Sequence, residues 1–253
     1  MFKDKSEILA HISDKDDKML VSSIYGKLYQ STEKSYPCYS DFLDARQIIL
    51  VKNLFGFLKD TLVFFGGIEN SERKIVAIDC GYRDETPIRI VRIKRHEGIT
   101  HRDVLGSIMS LGIKRQKIGD IVFDDFIYIA VKEEISGYIL ENFTKIRHYD
   151  IKPEIHDGIK IKRNQEFLDI SLTVASLRAD AVISAIIHLA REKSKELILS
   201  GKVNLNHFEL SDNKKTLNEG DIISIKGTGR FILSQINGTT KKDRIRIAVN
   251  KYK

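Results

Sequence analysis

Residues 177–206 read LRADAVISAIIHLAREKSKELILSGKVNLN and carry two helix-like patterns that run into a strand-like one. Apolar residues recur at three- and four-residue steps between Ser176 and Ala190, which predicts an amphipathic helix. A second helix is predicted over Glu192–Leu199, and Gly201 ends it because glycine favours helix C-termini. Short predicted strands follow at Lys202–Leu205, Asp221–Lys226, Phe231–Ile236 and Ile245–Val249. The order predicts a small module in which a helix pair precedes β-strands.

Positive charge is concentrated in the same third of the chain. Residues 1–171 hold 27 Lys+Arg against 27 Asp+Glu, whereas residues 172–253 hold 15 against 8, so this third accounts for the net charge of +7. Within the neutral part, residues 88–118 hold 8 basic and 2 acidic residues. A local excess of this kind is typical of a protein that binds a polyanion. The alternative is a solvated basic surface that serves solubility.

The part of the chain before residue 86 mixes helix and strand patterns. Helices are predicted over residues 4–31 and 40–60, and strands over Thr61–Phe65 and Lys74–Ile78. We therefore expect an N-terminal α/β domain over residues 1–85.

The middle of the chain has a different order. Predicted here are a basic strand that includes Ile88–Lys94, a helix capped by Thr100 and Asp103, strands Asp120–Phe123 and Phe126–Val131, a helix Glu133–Lys145 and a strand near Ile146–Ile151. The order β-α-β-β-α-β is that of the ferredoxin-like, RRM-like plait, which we expect over residues 86–170. With the module at 171–253, the predicted fold class is α+β. A run like the RNP1 aromatic motif is missing, so we do not expect the base stacking that is usual in RRM domains.

Composition limits the other classes of function. Cys38 and Cys80 are far apart and fit no zinc spacing, so we expect no metal and no cofactor. The first residues are too charged for a signal peptide. No apolar run approaches the roughly 20 residues that cross a bilayer. We therefore expect a cytoplasmic protein with no membrane span. We also expect no small-molecule substrate and a monomeric state.

The C-terminal module resembles the S4 RNA-binding domain. That domain follows the pattern RLD, SR, G-x-V-x-VN and GD, and the matching segments here are Leu177-Arg178-Ala179-Asp180, Ala190-Arg191, Gly201-Lys202-Val203-Asn204-Leu205-Asn206 and Gly220-Asp221. The order and spacing agree over about sixty residues of the sequence. Ala179 replaces the usual Leu and Ala190 the usual Ser, both at positions that pack or cap.

Further matches resemble the YlmH family of bacterial S4-domain proteins over essentially the whole chain. They are Phe42-Leu43-Asp44, Gly66-Gly67-Ile68-Glu69-Asn70-Ser71-Glu72-Arg73-Lys74, His101-Arg102-Asp103-Val104-Leu105-Gly106 and Leu111-Gly112-Ile113-Lys114-Arg115-Gln116-Lys117-Ile118-Gly119-Asp120. This resemblance implies an N-terminal α/β domain, an RRM-like plait and a C-terminal S4 domain. It also implies a ribosome-associated role in quality control of stalled large subunits that carry peptidyl-tRNA, with an older link to cell division.

Candidate RNA-binding residues follow from the basic pattern and the S4 resemblance. Arginine offers a bidentate fork to phosphate and lysine a point charge. The main set is Arg178, Arg191, Lys193, Lys195, Lys202, Asn204, Asn206, Arg230, Lys241, Lys242 and Arg244. A secondary set from the basic 88–118 segment is Arg92, Lys94, Arg102, Lys114 and Arg115. The alternative is a pair of solvated helix faces with a salt bridge between Arg178 and an acid.

Binding of ribosomal RNA or tRNA on the large ribosomal subunit, without catalysis, is the leading hypothesis. The alternatives are an RNA-modifying enzyme of the pseudouridine synthase or methyltransferase type with an S4 accessory domain, and a protein-interaction adaptor. Gly227-x-Gly229 does not complete a dinucleotide fingerprint, because Ile232 stands where the third glycine belongs. The Gly66-Gly67 turn before Glu69, Glu72 and Arg73 is either catalytic or a sharp turn that carries structural ion pairs.

Overall fold

The computed structural model describes residues 4–10, 12–34, 37–58, 61–78, 86–157 and 161–253. Two compact units make up the chain, Met1–Arg163 and Asn164–Lys253, which we call unit 1 and unit 2. The described residues contain seven α-helices and several antiparallel sheets, which confirms the expected mixture of helices and strands. Cys80 and the predicted boundary at residue 85 lie outside the described residues.

Unit 1 begins with helices around a three-stranded antiparallel sheet. In chain order, the elements are α1 (Lys5–Ala10), α2 (Lys15–Lys34), β1 (Cys38–Tyr39), α3 (Ala45–Phe55), β2 (Leu62–Phe65) and β3 (Ile75–Ile78). A short 3-10 turn, Gly56–Leu58, follows α3. Strand β3 lies between β1 and β2. The core of this part forms where α2 and α3 bury Ile24, Val51 and Phe55 with Val76 and Ile78 of β3.

The helices predicted in this part have different boundaries in the structure, and local capping explains two of their starts. The segment predicted as helical over 4–31 contains two helices, the second of which extends to Lys34, and Asp14 begins that second helix by accepting the Asp17 N–H at 2.8 Å. The helix predicted from residue 40 begins at Ala45. Asp44 accepts the Gln47 N–H at 2.9 Å, and the Gln47 side chain accepts the Asp44 N–H at 3.0 Å. This capping box fixes the helix start.

The rest of unit 1 is built on a four-stranded antiparallel sheet. Its elements are β4 (Ile88–Lys94), α4 (His101–Ser110), β5 (Ile118–Phe123), β6 (Phe126–Lys132), α5 (Glu133–Asn142), β7 (Lys145–Ile146), β8 (Tyr149–Asp150) and β9 (Glu154–Ile155). The sheet order is β5-β6-β4-β9, and every neighbouring pair is antiparallel. The predicted cap of α4 is confirmed, because Thr100 and Asp103 form a reciprocal capping box.

The strand predicted near Ile146–Ile151 was wrong. Those residues contribute β7 and β8, a separate two-stranded hairpin, and the fourth strand of the sheet is β9. The reason is local: Arg147 adopts a left-handed backbone with φ of 54° and reverses the chain. A single extended strand therefore cannot run through this segment.

Apolar residues cover both faces of this sheet. On one face, Val91 and Ile129 pack with Ile108 of α4 and Ile139 of α5. On the other face, Ile88, Val122 and Ala130 pack against Phe42, Ile68 and Ile75 from the N-terminal part. The approach is close, since a Cβ at Gly119 would lie 2.6 Å from the Phe42 ring. Only glycine fits at that position, and it lets the N-terminal part seat on the sheet.

Unit 2 packs two helices on a six-stranded antiparallel sheet. Its elements are β10 (Phe167–Val174), α6 (Ala179–Ile187), α7 (Arg191–Leu199), β11 (Val203–Leu205), β12 (Phe208–Glu209), β13 (Ile222–Ile225), β14 (Gly229–Thr239) and β15 (Ile245–Tyr252). The sheet order is β10-β15-β14-β13-β11-β12. Val182 and Ile183 of α6 and Ile198 of α7 pack against buried sheet residues such as Leu233 and Val249. Strand β10 begins before residue 171, pairs with β15 along its whole length and has no counterpart in the prediction.

Candidate nucleic-acid interface

Two arginines of unit 2 converge on one buried carboxylate. Arg178 stands just before α6 and Arg191 opens α7. Nη2 of Arg178 lies 2.9 Å from Oδ2 of Asp180, and Nη2 of Arg191 lies 2.8 Å from Oδ1 of the same residue. Arg178 also donates from Nε to Oδ1 at 3.2 Å. Asp180 thereby joins the starts of the two helices.

The partners of Asp180 fix its charge state. Its side chain has no exposed area, whereas those of Arg178 and Arg191 are 35% and 44% exposed. Burial alone would raise the pKa of Asp180, but hydrogen bonds from Arg191 and Arg178 outweigh it and hold the pKa below its ordinary value. The same carboxylate raises the pKa of Arg191 by accepting its hydrogen bond. Two guanidinium groups are thus anchored at one edge and open to solvent at the other.

The helix α7 is also tied down at its start. Ser194 is buried and donates its hydroxyl to the Asp180 carbonyl oxygen at 2.8 Å. His188 ends α6 in a left-handed conformation with φ of 53°, which turns the chain toward α7. The turn at His188 and the hydrogen bond of the Ser194 hydroxyl hold Arg191 close to Arg178. Asp180 and Ser194 do this positioning, and neither was among the predicted site residues.

The lysines of α7 lie on its exposed side. Lys193 pairs with Glu196 at 2.5 Å and Lys195 with Glu192 at 2.9 Å, each three residues apart on the same helix. Exposed pairs of this kind contribute about 0–1 kcal/mol, so they exchange readily for another anion. In the free protein these lysines therefore lie on a solvated helix face, and Arg178 forms a salt bridge with an acid. Both features were the alternative interpretation of the sequence.

A third group of predicted residues lines a cavity of about 380 Å³ where β11 and β14 begin and β13 ends. Its basic wall consists of Lys202, Lys226 and Arg230, and no acidic residue is among the eight that line it. Asn204 belongs to the same wall. Arg230 lies over the Tyr252 ring, 5.2 Å from its centroid. Lys226 was missed by the prediction, although it stands four residues before Arg230 in the sequence.

Asn206 serves the fold. Its amide donates to Oδ1 of Asp221 at 2.8 Å, and its side-chain oxygen accepts the Ile222 N–H at 2.9 Å. Asp221 in turn accepts the Asn218 N–H at 2.8 Å. The VN and GD segments of the sequence pattern are therefore hydrogen-bonded to each other. Both the amide nitrogen and the oxygen of the Asn206 side chain take part in these bonds.

Lys241, Lys242 and Arg244 lie away from that cavity. They are exposed in and beside the turn between β14 and β15, where Arg244 donates to the Thr173 carbonyl oxygen at 2.8 Å. Arg230 is at the opposite end of β14, an 11-residue strand. Because a strand rises about 3.3 Å per residue, the predicted main set forms separate groups.

The secondary set in unit 1 is distributed differently. Arg92 pairs with Glu154 at 3.1 Å and lies over the Phe126 ring at 5.1 Å. Exposed positions are those of Lys94, Arg102 and Lys114. Arg115 instead points inward and donates to the carbonyl oxygens of Ile118 and Gly119.

Some general classes of site are missing from the part of the chain that the structure describes. It holds no group of three or more His, Cys, Asp or Glu side chains that could bind a metal ion. Among the same residues, no helix is both long and apolar enough to span a membrane.

Comparison of the sequence with known proteins identifies its family. A family profile described as "Putative RNA-binding domain in YlmH" matches residues 86–157. The chain is 30% identical over 225 residues to the ribosome-associated protein quality control protein P2 of Bacillus subtilis (strain 168), which covers 85% of this chain and 87% of that protein. A solved structure, the cell division protein ylmH from Streptococcus pneumoniae, is similar with a TM-score of 0.46 and 20% identity over 58% of this chain and 94% of that one. The chain belongs to the YlmH family.

Proposed function

We propose that this protein binds structured RNA on the ribosome and that unit 2 makes the principal contact. The observation that carries the proposal is the pair Arg178 and Arg191, anchored on a buried carboxylate with their outer edges open to solvent. Anchored guanidinium groups lose little conformational freedom when they bind phosphate, which favours affinity. The quality-control relative from Bacillus subtilis, named as ribosome-associated, supports the same assignment.

We also propose the three-part organisation expected from the sequence, with an α/β domain over 1–85, an RRM-like plait over 86–170 and an S4 domain over 171–253. Support for the plait comes from the sheet order β5-β6-β4-β9 with both helices on one face. Support for the S4 assignment comes from the paired helices, which place the matching arginines together. The match of residues 86–157 to a profile described as a putative RNA-binding domain supports the plait as a second RNA contact.

The plait would bind RNA differently from a typical RRM domain. RRM domains stack bases on aromatic residues of the open sheet face. Here Phe42, Ile68 and Ile75 cover part of that face. We therefore propose that the plait contributes phosphate contacts from exposed residues such as Lys94 and Arg102, and that recognition depends on RNA shape and backbone charge.

Ribosomal RNA and tRNA are the proposed ligands, on large subunits that have stalled during translation. We further propose that the protein is cytoplasmic, acts as a monomer and catalyses no reaction. The rival hypothesis is an RNA-modifying enzyme. Incubation with ribosomal RNA, tRNA and S-adenosylmethionine should leave every nucleoside mass unchanged, and a modified nucleoside that requires the protein would favour the enzyme.

Two double charge reversals test where RNA binds, and both variants are first shown to be folded by circular dichroism because Arg191 also holds the buried Asp180. Arg191→Glu with Lys195→Glu removes the basic start of α7, and Arg92→Glu with Lys94→Glu makes the same change in charge on β4. Each charged hydrogen bond that is lost costs about 1.5–3 kcal/mol, and reversal adds repulsion. We expect the α7 variant to leave ribosomal particles in a gradient at moderate salt while the β4 variant is retained better. The opposite order, with both variants folded by circular dichroism, would place the main contact in unit 1.

A further inference from the structure

Two arginines in unit 1 lie on the wall of a cavity of about 700 Å³. Arg73 donates from Nε to the Ile118 carbonyl oxygen at 3.1 Å and from Nη2 to the Phe42 carbonyl oxygen at 3.0 Å. Arg115 donates from Nη1 to the same Ile118 oxygen at 2.5 Å. Two like-charged guanidinium groups therefore share one acceptor and are immediate neighbours.

The surroundings make this pairing costly. Both side chains are half-buried. Burial, and then the charge of Arg73, lower the pKa of Arg115 to about 10. Burial is also the largest cause of the lowered pKa of Arg73. Partly buried like charges are unfavourable unless an anion lies between or beside them.

Burial outweighs the charges of Asp44 and Asp120, which raise the pKa of both arginines, and each of these carboxylates has another partner. Asp120 accepts the N–H groups of Glu72 and Arg73 at 2.7 and 3.0 Å and also contacts Arg163. Asp44 caps α3. Asp41 binds Lys117 at 2.7 Å. In the described part of unit 1, no carboxylate forms a salt bridge with Arg73 or Arg115.

The unused donors of the two arginines are of the right kind for a phosphate group. Within the described residues, Nη1 of Arg73 and both Nε and Nη2 of Arg115 make no hydrogen bond. A guanidinium presents its donors as a planar fork that matches phosphate oxygens. Lys27 and Lys117 are also on the wall, and its carboxylates are those of Asp16, Asp41 and Asp44. A cavity of this volume has the size of a small-molecule site, so it holds more than an isolated phosphate ion.

We propose that this cavity is a binding site for a phosphate-bearing ligand of nucleotide size, held by Nη1 of Arg73 and by the fork that Nε and Nη2 of Arg115 form. Arg73 comes from the Gly66–Lys74 turn, for which the sequence left either a catalytic or a structural explanation, and Arg115 comes from Leu111–Asp120; α2 and residues 40–47 form most of the remaining wall. Neither a catalytic turn nor a structural ion pair requires two neighbouring arginines on a cavity wall, whereas a phosphate-binding site does. The phosphate is carried either by a free nucleotide or by the end of an RNA strand. The site does not depend on RNA binding by unit 2.

Calorimetry on the full chain tests the site with adenosine monophosphate as the probe. We expect one molecule to bind per chain at constant ionic strength. Arg115→Gln should bind roughly tenfold more weakly or worse, because a charged hydrogen bond is lost. Lys152→Gln removes the same charge from an exposed position outside the cavity and should bind like the wild type. No binding by the wild type, or equal binding by a folded Arg115→Gln, would overturn the proposal.

A second measurement needs no variant. Titration of the wild-type chain with inorganic phosphate should shift the backbone amide signals of Arg73 and of residues 115–119, while chloride at the same ionic strength should not. Equal shifts with both salts would show general screening and would also overturn the proposal.

Competition identifies the source of the phosphate and separates this site from the proposed RNA contact. A short RNA with a 5′-phosphate should displace adenosine monophosphate better than the same RNA with a 5′-hydroxyl if the ligand is an RNA end, and equally poorly if it is a free nucleotide. Both outcomes support the site. Arg191→Glu with Lys195→Glu should leave nucleotide binding intact, so a failure of the unit 2 contact stays distinguishable from a failure of this one.

Discussion

The two basic regions of the chain use their arginines in opposite ways. In unit 2, Arg178 and Arg191 share one buried carboxylate and keep their outer edges in solvent. In unit 1, Arg115 and Arg73 share one carbonyl oxygen and face a cavity, while Arg92 is paired with Glu154. The comparison shows that positive charge in a sequence segment does not reveal where that charge points. The acceptor that anchors each arginine decides it.

Replacement of the shared anchor should give the largest change in this comparison. Asp180→Asn removes the charge that holds Arg178 and Arg191, and charged hydrogen bonds of this kind contribute about 1.5–3 kcal/mol each. We expect the free energy of unfolding of unit 2 to fall by about 3 kcal/mol, and the affinity for ribosomal particles to fall with it. Urea unfolding followed by circular dichroism measures the first and co-sedimentation the second.

The matched control for that experiment is Asp169→Asn, at an exposed position of β10 in the same unit. It makes the same chemical change without a buried partner, so stability should stay within about 0.5 kcal/mol of wild type. If both substitutions change stability equally, Asp180 is not the anchor that the geometry indicates.

Several elements could be predicted from the sequence because their determinants are local. The start of α4 follows from Thr100 and Asp103, three residues apart, and the α6–α7 pair follows from apolar spacing. Elements that depend on distant partners could not be predicted in this way. Strand β9 has two residues and exists because β4 offers an edge. The break at Arg147 is local, but a left-handed arginine does not show in the pattern of apolar residues.

The same distinction applies to the candidate site. The basic residue types could be chosen from the sequence, but the carboxylate that orients two of them could not, because Arg191 and Asp180 meet only after α6 and α7 have packed. Asn206 was predicted to bind RNA, and its hydrogen bond to Asp221 depends on a contact across 15 positions. The inward direction of Arg115 likewise depends on carbonyl oxygens that the fold presents.

The salt dependence of RNA binding tests how many phosphate groups the basic side chains contact. Each phosphate neutralised in duplex nucleic acid adds about −0.9 to the slope of log affinity against log salt, so four to eight contacts predict a slope of roughly −4 to −7. Arg191→Glu with Lys195→Glu should make the slope shallower by about 2 because two contacts are lost. The β4 variant should change it less. A wild-type slope near zero would contradict the phosphate-contact mechanism.

Acid should remove the stabilisation that the Asp180 carboxylate gives to unit 2. The folded pKa of Asp180 is below its unfolded value, so its contribution to stability is complete above the unfolded pKa of about 4. That contribution is lost as the pH falls through the folded pKa. The difference in unfolding free energy between wild type and Asp180→Asn should therefore be largest near neutral pH and shrink at pH values below about 4. A difference that is constant from neutral to acid pH would show that the carboxylate charge is not responsible.

Lys193 is either an RNA contact or one half of a surface ion pair, and two substitutions distinguish these roles. Lys193 and Glu196 are both exposed and pair with each other on α7, and such pairs contribute less than about 1 kcal/mol. Lys193→Gln and Glu196→Gln should each leave the unfolding free energy within about 0.5 kcal/mol of wild type.

The effects of these two substitutions on RNA affinity should have opposite signs. Lys193→Gln removes a cation that phosphate would use, whereas Glu196→Gln removes the acid that competes with phosphate for Lys193. Filter binding at low salt measures both. If the two variants shift affinity in the same direction, Lys193 is a solvated surface lysine and the contact lies with the anchored arginines.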